Sequence, residues 1–174
     1  MGPAILAEMT EDEWRPDIRR ASPDEHPGLR LIEFEADRLY ASVDIGPFIN
    51  DDSEDHFAQA ALVLVVGDPR IGFVCVELVD ATPHIWQVSV HPEHGRKGFG
   101  RALVLAACDW AGEEGSDAIT LTTYRDVPWN APFYASLGFV TLDTLSPELQ
   151  AIREHEREIG DDDFGPRVAM RRTL

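Results

Sequence analysis

The stretch VSVHPEHGRKGFGRALVLAACDW, residues 88–110, constrains the fold more than any other part of the chain. It continues a β-like run over residues 85–90 and carries glycines at positions 95, 98 and 100. Apolar side chains then recur at helical spacing, at Phe99, Ala102, Leu103, Ala106 and Trp110. A strand that turns over glycines into an amphipathic helix predicts a fold in which helices pack on a sheet.

The glycine loop, residues 95–101, concentrates positive charge in a very acidic chain. The formal net charge is -17, and Lys97 is the only lysine. The loop residues are Gly95, Arg96, Lys97, Gly98, Phe99, Gly100 and Arg101. Glycines at a helix start let backbone N–H groups converge on a phosphate, and basic side chains add charge-assisted hydrogen bonds. On the loop alone, a tight turn with solvated basic side chains stays an open alternative.

The remaining signals predict one α/β (α+β) domain over residues 15–174, after a flexible leader over residues 1–14. We predict strands over residues 17–21, 61–66, 71–79, 85–90, 118–123, 139–141 and 168–171. Helical segments are predicted between residues 22 and 40 with a break, from 99 to about 112, and over 130–137 and 146–159. The acidic cluster at residues 51–55 is predicted to be a solvated loop or a helix start. A meander followed by alternating strands and helices is typical of a mixed sheet with helices on it.

Composition excludes several classes of protein. An acidic surface repels nucleic acid, so we expect no nucleic-acid partner and favour a neutral or cationic small molecule. The chain shows no signal-peptide pattern, and its longest apolar runs, residues 60–66 and 102–108, are too short to cross a bilayer. Cys75 and Cys108 lack metal-ligand spacing and are predicted to be buried thiols in a reducing compartment. We therefore expect a cytoplasmic protein with no membrane partner and no metal, and leave open whether it forms a homodimer.

Two common phosphate-binding motifs do not fit the glycine loop. A P-loop requires Gly-Lys-Ser/Thr at the helix start, but Gly100 is followed by Arg101 and Ala102. A dinucleotide-binding motif requires a third glycine where Leu103 stands, and an acidic residue at the end of the next strand. The predicted strand over residues 118–123 ends without one.

The loop instead resembles the acyl-CoA loop of the GNAT superfamily of N-acetyltransferases. That family carries Gln/Arg-x-x-Gly-x-Gly/Ala after a strand ending in Val-x-Pro. Here the strand ends in Val90-His91-Pro92, and the two glycines are Gly98 and Gly100. The first position of the motif falls on Gly95, with Arg96 beside it, which departs from the family pattern. Because the family's loop acts mainly through main-chain amides, this departure weakens the match without removing it.

A second stretch carries the same resemblance. Residues 130–139, NAPFYASLGF, are similar to the family's Asn-x-x-x-Tyr motif followed by Gly-Phe. Asn130 is predicted to cap a short helix, with Pro132 in its first turn and Gly138 at its end. Tyr134 lies one turn after Asn130, so both side chains can face the same side. The resemblance covers residues 83–139 well and the remainder by the order of elements.

The resemblance implies an N-acetyltransferase that moves the acetyl group of acetyl-CoA directly to a primary amine of a small molecule or peptide. It implies a mostly antiparallel central sheet with helices on both faces, whose fourth and fifth strands separate where CoA enters. By the same resemblance, Tyr134 is the general acid, and the glycine loop binds the pyrophosphate. The main chain of Val88 and Val90 pairs with the pantetheine arm, and Asn130 contacts that arm.

The general base is the least defined part of the site. Many family members carry a glutamate on the fourth strand, where we expect His84 and Trp86 to share the face of Val88 and Val90. His84, with an ordinary pKa of about 6.5, is the candidate base, and a structural histidine at the start of the strand is the alternative. Glu33 or Glu35, on the first helical segment, is a candidate contact for a cationic acceptor, and a solvated carboxylate on the helix surface is the alternative.

Two other functions fit the same residues. A non-catalytic acyl-CoA-binding or sensing module would keep the loop and lack a base. A nucleotide-binding regulatory domain would be stabilised by ATP or NAD in place of CoA.

Overall fold

The computed structural model describes residues 16–48 and 53–174. The predicted leader, residues 1–14, and the acidic residues Asp51 and Asp52 lie outside this described part. The strands are β1 (Ile18–Arg20), β2 (Leu62–Val66), β3 (Gly72–Val79), β4 (Thr82–Val90), β5 (Ala118–Tyr124), β6 (Val140–Thr141) and β7 (Arg167–Thr173). The α-helices are α1 (His26–Asp37), α2 (Ser53–Gln59), α3 (Phe99–Glu113), α4 (Ala131–Ser136) and α5 (Pro147–Glu158).

The strands form one seven-stranded sheet in the order β1-β2-β3-β4-β5-β7-β6. Each neighbouring pair is antiparallel except β4 with β5, which is parallel. Parallel neighbours require a crossover connection, and α3 provides it between β4 and β5. The prediction of a mixed, mostly antiparallel sheet is confirmed.

The hairpins of the first half depend on residues with positive φ. The turn between β2 and β3 begins at Gly67, with a φ of 87°. The turn between β3 and β4 consists of Asp80 and Ala81, with φ values of 49° and 59°. A two-residue turn with two positive φ values matches the twist of paired strands. β4 therefore begins at Thr82, ahead of its predicted start at Ile85.

Alternating side chains of the strands bury an apolar cluster on each face of the sheet. On one face, α3 packs through residues such as Leu103 and Ala107, both fully buried. On the other face, Leu29 of α1 and Phe57 of α2 pack with Phe73 of β3. The prediction of helices on both faces is confirmed. Among the helices of residues 16–48 and 53–174, none has the length and apolar character needed to cross a bilayer.

β4 carries a β-bulge at Trp86. The pairing register between β3 and β4 shifts there, so Trp86 is an extra residue without a partner on β3. As a result, Ile85 and Val88 both pack on the α3 face, whereas Trp86 packs with the α1 cluster. The expectation that His84 and Trp86 share the face of Val88 and Val90 is wrong, because simple alternation holds only in an undistorted strand.

β4 and β5 are joined at two positions only. His84 pairs with Thr120, and Ile85 pairs with Leu121. The bulge at Trp86 follows directly, and the rest of β4 continues without pairing to β5. The predicted separation of the fourth and fifth strands is confirmed.

His84 lies buried at this junction. Its side chain is almost inaccessible, and its Nδ1 atom lies 2.9 Å from the hydroxyl oxygen of Thr120. Burial lowers the pKa of His84 to about 4, although the charges of Glu156 and Glu77 act in the opposite direction. The imidazole is therefore neutral at pH 7 and helps to join the two strands.

We expect His84 to make the fold less stable in mild acid. The unfolded chain binds a proton at His84 near pH 6.5, whereas the folded chain resists protonation until about pH 4. Because the unfolded state binds more protons in this window, the free energy of unfolding rises with pH. The part of the free energy of unfolding that depends on a neutral His84 is fully present above pH 6.5 and is lost as the pH falls towards 4. The loss reaches at most about 3 kcal/mol.

The measurement is urea unfolding of the wild type and the His84→Asn variant between roughly pH 4 and 7. Asparagine offers Thr120 a polar partner but does not titrate, so the variant should lose this part of the pH dependence. Equal pH slopes in the two proteins would contradict the assignment of a buried, neutral His84.

Candidate active site

A cavity of about 1060 Å³ opens where β4 and β5 separate. Its β4 side is formed by β4 beyond the bulge and by the glycine loop. Its β5 side is formed by the end of β5, by α4 and by a 3-10 helix, Arg38–Val43, that continues α1. Ten of the predicted site residues line it: Val88, Val90, Gly95, Arg96, Gly98, Phe99, Gly100, Arg101, Asn130 and Tyr134.

The glycine loop brings the start of α3, with its main-chain amides, to the cavity. Gly98 is the N-cap of α3 and has a φ of 87°, a conformation that favours glycine. The amide of Ala102 donates to the carbonyl oxygen of Gly98 at 3.0 Å. The amides of the first helical turn precede that bond and have no acceptor within the helix. Amides grouped at the positive end of a helix dipole bind phosphate groups.

The basic side chains of the loop differ in where they lie. Arg96 and Arg101 line the cavity beside the amides. The ammonium group of Lys97 instead donates to the carbonyl oxygen of Glu93 at 3.1 Å, and Lys97 does not line the cavity. Two guanidinium groups therefore supply the positive charge at this end.

The β4 side also offers an unpaired strand edge. Beyond Ile85, β4 pairs with β3 on one edge, and within residues 16–48 and 53–174 no strand pairs with the edge that faces β5. The side chains of Val88 and Val90 pack towards the α3 cluster. Main-chain N–H and C=O groups, together with the side chains of Gln87 and Ser89, are therefore the polar groups that this segment can offer. Such an edge can pair with an extended molecule that carries amide groups.

Tyr134 of α4 lines the cavity from the opposite side. Its ring contacts Phe133 and Phe139, with centroids 5.1 and 5.7 Å away. Burial raises the pKa of Tyr134 above its ordinary value, and the negative charge of an ionised Tyr40 would act in the same direction. The hydroxyl is therefore protonated at neutral pH and can donate a proton.

Asn130 holds the β5 side of the cavity together. Its buried amide oxygen accepts hydrogen bonds from the hydroxyls of Thr123 at 2.6 Å and Tyr40 at 3.0 Å. The expectation that its side chain caps α4 is wrong. Asn130 occupies the N-cap position of α4, but its side chain makes no capping hydrogen bond there because Thr123 and Tyr40 engage it.

Tyr40 is a site residue that the sequence analysis missed. It lines the cavity, and its ring contacts Trp129 and Phe48 at centroid distances of 5.7 and 5.2 Å. In the sequence it is only the last residue of the first predicted helical segment, residues 22–40. No local motif marks the position, because 90 residues separate Tyr40 from its hydrogen-bond partner Asn130.

Arg167 of β7 is a second site residue that the sequence analysis missed. Its guanidinium lies 4.6 Å from the ring centroid of Tyr124 and donates to Glu156 at 2.9 Å. Glu156 also accepts from the hydroxyl of Thr122 at 2.5 Å. Thr122 and Arg167 both line the cavity. Asp161 lies 3.9 Å from Arg167.

Two predicted site residues, Lys97 and His84, lie away from the cavity. His84 is enclosed at the β4–β5 junction and does not line the cavity. Its role as the base stays an untested prediction, and its burial does not favour it. In the part of the chain that the structure describes, no group of three or more His, Cys, Asp and Glu side chains is placed to hold a metal ion.

Comparisons with known proteins agree with this fold. The acetyltransferase (GNAT) family model matches residues 8–139, more than half of the chain. The PaiA N-acetyltransferase of Thermoplasma acidophilum, solved with coenzyme A, is 17% identical with a TM-score of 0.64, over 92% of this chain and 100% of that one. The ribosomal-protein-S18-alanine N-acetyltransferase of Escherichia coli is 17% identical with a TM-score of 0.63, over 91% and 93%. A GNAT family acetyltransferase of Brucella melitensis, solved with acetyl-CoA, is 20% identical with a TM-score of 0.56, over 71% and 82%.

Proposed function

The chain belongs to the GNAT family of acetyltransferases, and from that membership we propose that it transfers the acetyl group of acetyl-CoA directly to a primary amine. The acceptor is a small molecule or a peptide. One observation carries the proposal: a single cavity contains the amide-rich start of α3, the unpaired edge of β4 and the side chain of Tyr134.

The residues of the β4 side fit acetyl-CoA. The amides at the start of α3, together with Arg96 and Arg101, provide the positive potential that a pyrophosphate requires. The main chain at Val88 and Val90 can pair with the amide groups of a pantetheine arm that follows β4. Bound in this way, the thioester would lie towards Tyr134.

The same residues support a direct transfer. The neutral amine attacks the thioester carbonyl, its nitrogen forms the new C–N bond, and the C–S bond breaks. The Tyr134 hydroxyl gives its proton to the departing sulfur. The proton that the amine nitrogen loses passes to water, and the Tyr134 phenolate regains a proton from water. Asn130 acts here as a positioning residue, because it holds Tyr40 and Thr123 in place while it lines the path of the CoA arm.

The test is to incubate the protein with acetyl-CoA and a panel of primary amines while following the release of free thiol. We expect thiol release that depends on the amine and yields an acetylated product. CoA binding without thiol release, over the whole panel, would contradict the enzyme and support a non-catalytic acyl-CoA-binding module. Stabilisation by ATP or NAD but not by CoA would indicate a nucleotide-binding regulatory domain.

The Gly98→Asp variant should lose CoA binding. The φ of 87° at Gly98 is unfavourable for aspartate, and the new carboxylate would repel a pyrophosphate at the helix start. We expect the Kd for CoA to rise at least about tenfold, because that is the size of one lost charge-assisted contact. Isothermal titration calorimetry measures it.

The matched control is Gly112→Asp, which places the same charge near the other end of α3 where the added Cβ meets no neighbouring atom within 4 Å. This control should bind CoA like the wild type. If a folded Gly98→Asp protein also bound CoA like the wild type, the glycine loop would not be the phosphate site.

The Tyr134→Phe variant should lose turnover while keeping its affinity for acetyl-CoA. The ring retains its contacts with Phe133 and Phe139, so the fold should survive, but the proton donor is absent. Loss of a general acid costs about 10²- to 10⁴-fold in rate, and kcat and kcat/KM should fall together. Steady-state kinetics and CoA titration separate the two effects.

Tyr124→Phe is the control, because it removes a hydroxyl from a buried tyrosine that does not line the cavity. Its kcat should stay within about a factor of two of the wild type, far below the effect of losing a general acid. An equally small change in Tyr134→Phe would show that Tyr134 packs and does not donate a proton.

A further inference from the structure

One wall of the main cavity exposes large apolar side chains to water. Leu39 and Tyr40 line the cavity from the 3-10 helix, and Pro128 and Trp129 line it from the segment before α4. We call these four residues the apolar wall. Leu39 keeps 45% of its surface exposed, and Trp129 keeps 37%. Exposed apolar side chains that meet in a cavity are typical of a surface that an apolar part of a ligand covers.

The rings of Tyr40 and Trp129 give the apolar wall a defined shape. Their centroids lie 5.7 Å apart at an angle of 61°, which is a T-shaped contact. The Tyr40 hydroxyl and the Asn130 side chain share hydrogen bonds of 3.0 and 2.9 Å, which fix the position of the Tyr40 ring. Aromatic rings attract further rings edge to face at centroid distances of about 4.5–7 Å. A flat aromatic group therefore suits this wall.

The charged side chains beside the apolar wall are already engaged. Among the described residues, Asp37 and Arg167 are the charged side chains that line the cavity on this side. Asp37 has an interaction partner in the structure. The guanidinium of Arg167 donates to Glu156 at 2.9 Å and lies 3.9 Å from Asp161. The groups that remain to contact an acceptor are therefore mostly apolar, and they favour a carrier without charge.

The carboxylates that the sequence suggested as acceptor contacts lie outside the main cavity. Glu33 is buried, has an interaction partner and lines a second cavity of about 770 Å³. Glu35 lines neither cavity and pairs with Arg38 at 3.0 Å. Neither carboxylate is placed beside the apolar wall.

The apolar wall lies on the face of the sheet opposite to α3. The Tyr40 ring contacts Tyr124 at a centroid distance of 5.9 Å. Because side chains alternate along β5, Tyr124 lies on the face opposite to Leu121, which packs with α3. CoA bound at the start of α3 and along the β4 edge would leave this wall to the second substrate. An acceptor that enters from the α1 face would reach the thioester without displacing CoA.

We propose that the acceptor is an arylalkylamine, a primary amine on a carbon chain that ends in an uncharged aromatic ring, and that the ring binds on the apolar wall against Leu39 and Trp129. The inference rests on the proposed acetyl transfer and names the substrate class of that site. The amine nitrogen forms the new C–N bond and loses one proton to water, the C–S bond breaks, and CoA leaves as the thiol. The ring is unchanged by the reaction and orients the chain towards the thioester.

The experiment uses primary amines that differ only at the far end of a four-carbon chain. They are 4-phenylbutylamine, butylamine, 1,4-diaminobutane and 5-aminopentanoate, which carry a phenyl group, a hydrogen, an ammonium group and a carboxylate there. The pair 2-phenylethylamine and ethylamine repeats the first comparison on a shorter chain. For each amine we would measure kcat/KM for acetylation and, independently, the Kd for CoA-saturated protein by calorimetry.

We expect the phenyl-bearing amine of at least one length to exceed its matching alkylamine about tenfold in kcat/KM. This is the size expected from burying part of one phenyl ring. The diamine and the amino acid should be no better acceptors than butylamine, because the charged groups on this side are engaged. The Kd values for CoA-saturated protein should follow the same order.

In the Leu39→Asp variant, the preference for the phenyl group should fall to within about threefold, because a carboxylate on the wall must lose water before a ring can cover it. The matched control is Leu31→Asp, which adds the same charge to α1 at a position that is 70% exposed and outside both cavities. This control should keep the preference. An equal fall in both variants would overturn the inference.

Calorimetry with CoA alone decides which substrate the apolar wall contacts. Leu39→Asp should bind CoA with the wild-type Kd, since the wall is assigned to the acceptor. A higher Kd for CoA, with the preference among amines unchanged, would assign the wall to CoA and overturn the inference.

The wild-type series tests the inference without any variant. Alkylamines that bind and react as well as the phenyl-bearing amines at both lengths would overturn the aromatic site and leave acetyl transfer to amines intact. A diamine or an amino acid as the best acceptor would overturn it in favour of a charged acceptor. If no amine were acetylated, the proposed function would fail, and the order of the calorimetric Kd values would still decide whether the aromatic site exists.

Discussion

The separation of β4 from β5 beyond Ile85 is the constraint on which the site depends. Two residue pairs join these strands, and Trp86, the extra residue directly after them, ends the pairing. The same bulge turns the side chain of Val88 towards α3 and leaves main-chain groups at the cavity. The glycine loop, α4 and the 3-10 helix after α1 all line a space that exists because the sheet does not close there.

The sequence predicted those parts of the fold whose signals are local. The glycines at the start of α3, the turn at Gly67 and the motif around Tyr134 lie within a few residues of the features that they produce. The bulge at Trp86 has no such signal, since an extra residue in a strand is defined by its pairing with β3. Tyr40 and Arg167 were missed for the same reason, because they join the site through partners that are distant in sequence or on another element.

In the second half of the fold, some of the acidic residues have a structural role. Asp161 and Asp162 are not simply solvated, since they approach the guanidinium groups of Arg167 and Arg153. That network joins Arg167 of β7, which lines the cavity, to Glu156 of α5.

The narrow junction between β4 and β5 also has a mechanical consequence. It divides the sheet into a four-stranded plate, β1 to β4, and a three-stranded plate, β5, β7 and β6. Only two residue pairs join β4 and β5, which have nine and seven residues, so this junction is more compliant than one paired along its whole length. α3 packs across the junction on one face, against residues of both plates. A ligand that binds both the β4 edge and α4 would cross the junction between the two parts of the sheet. Its binding would limit the movement of one part relative to the other.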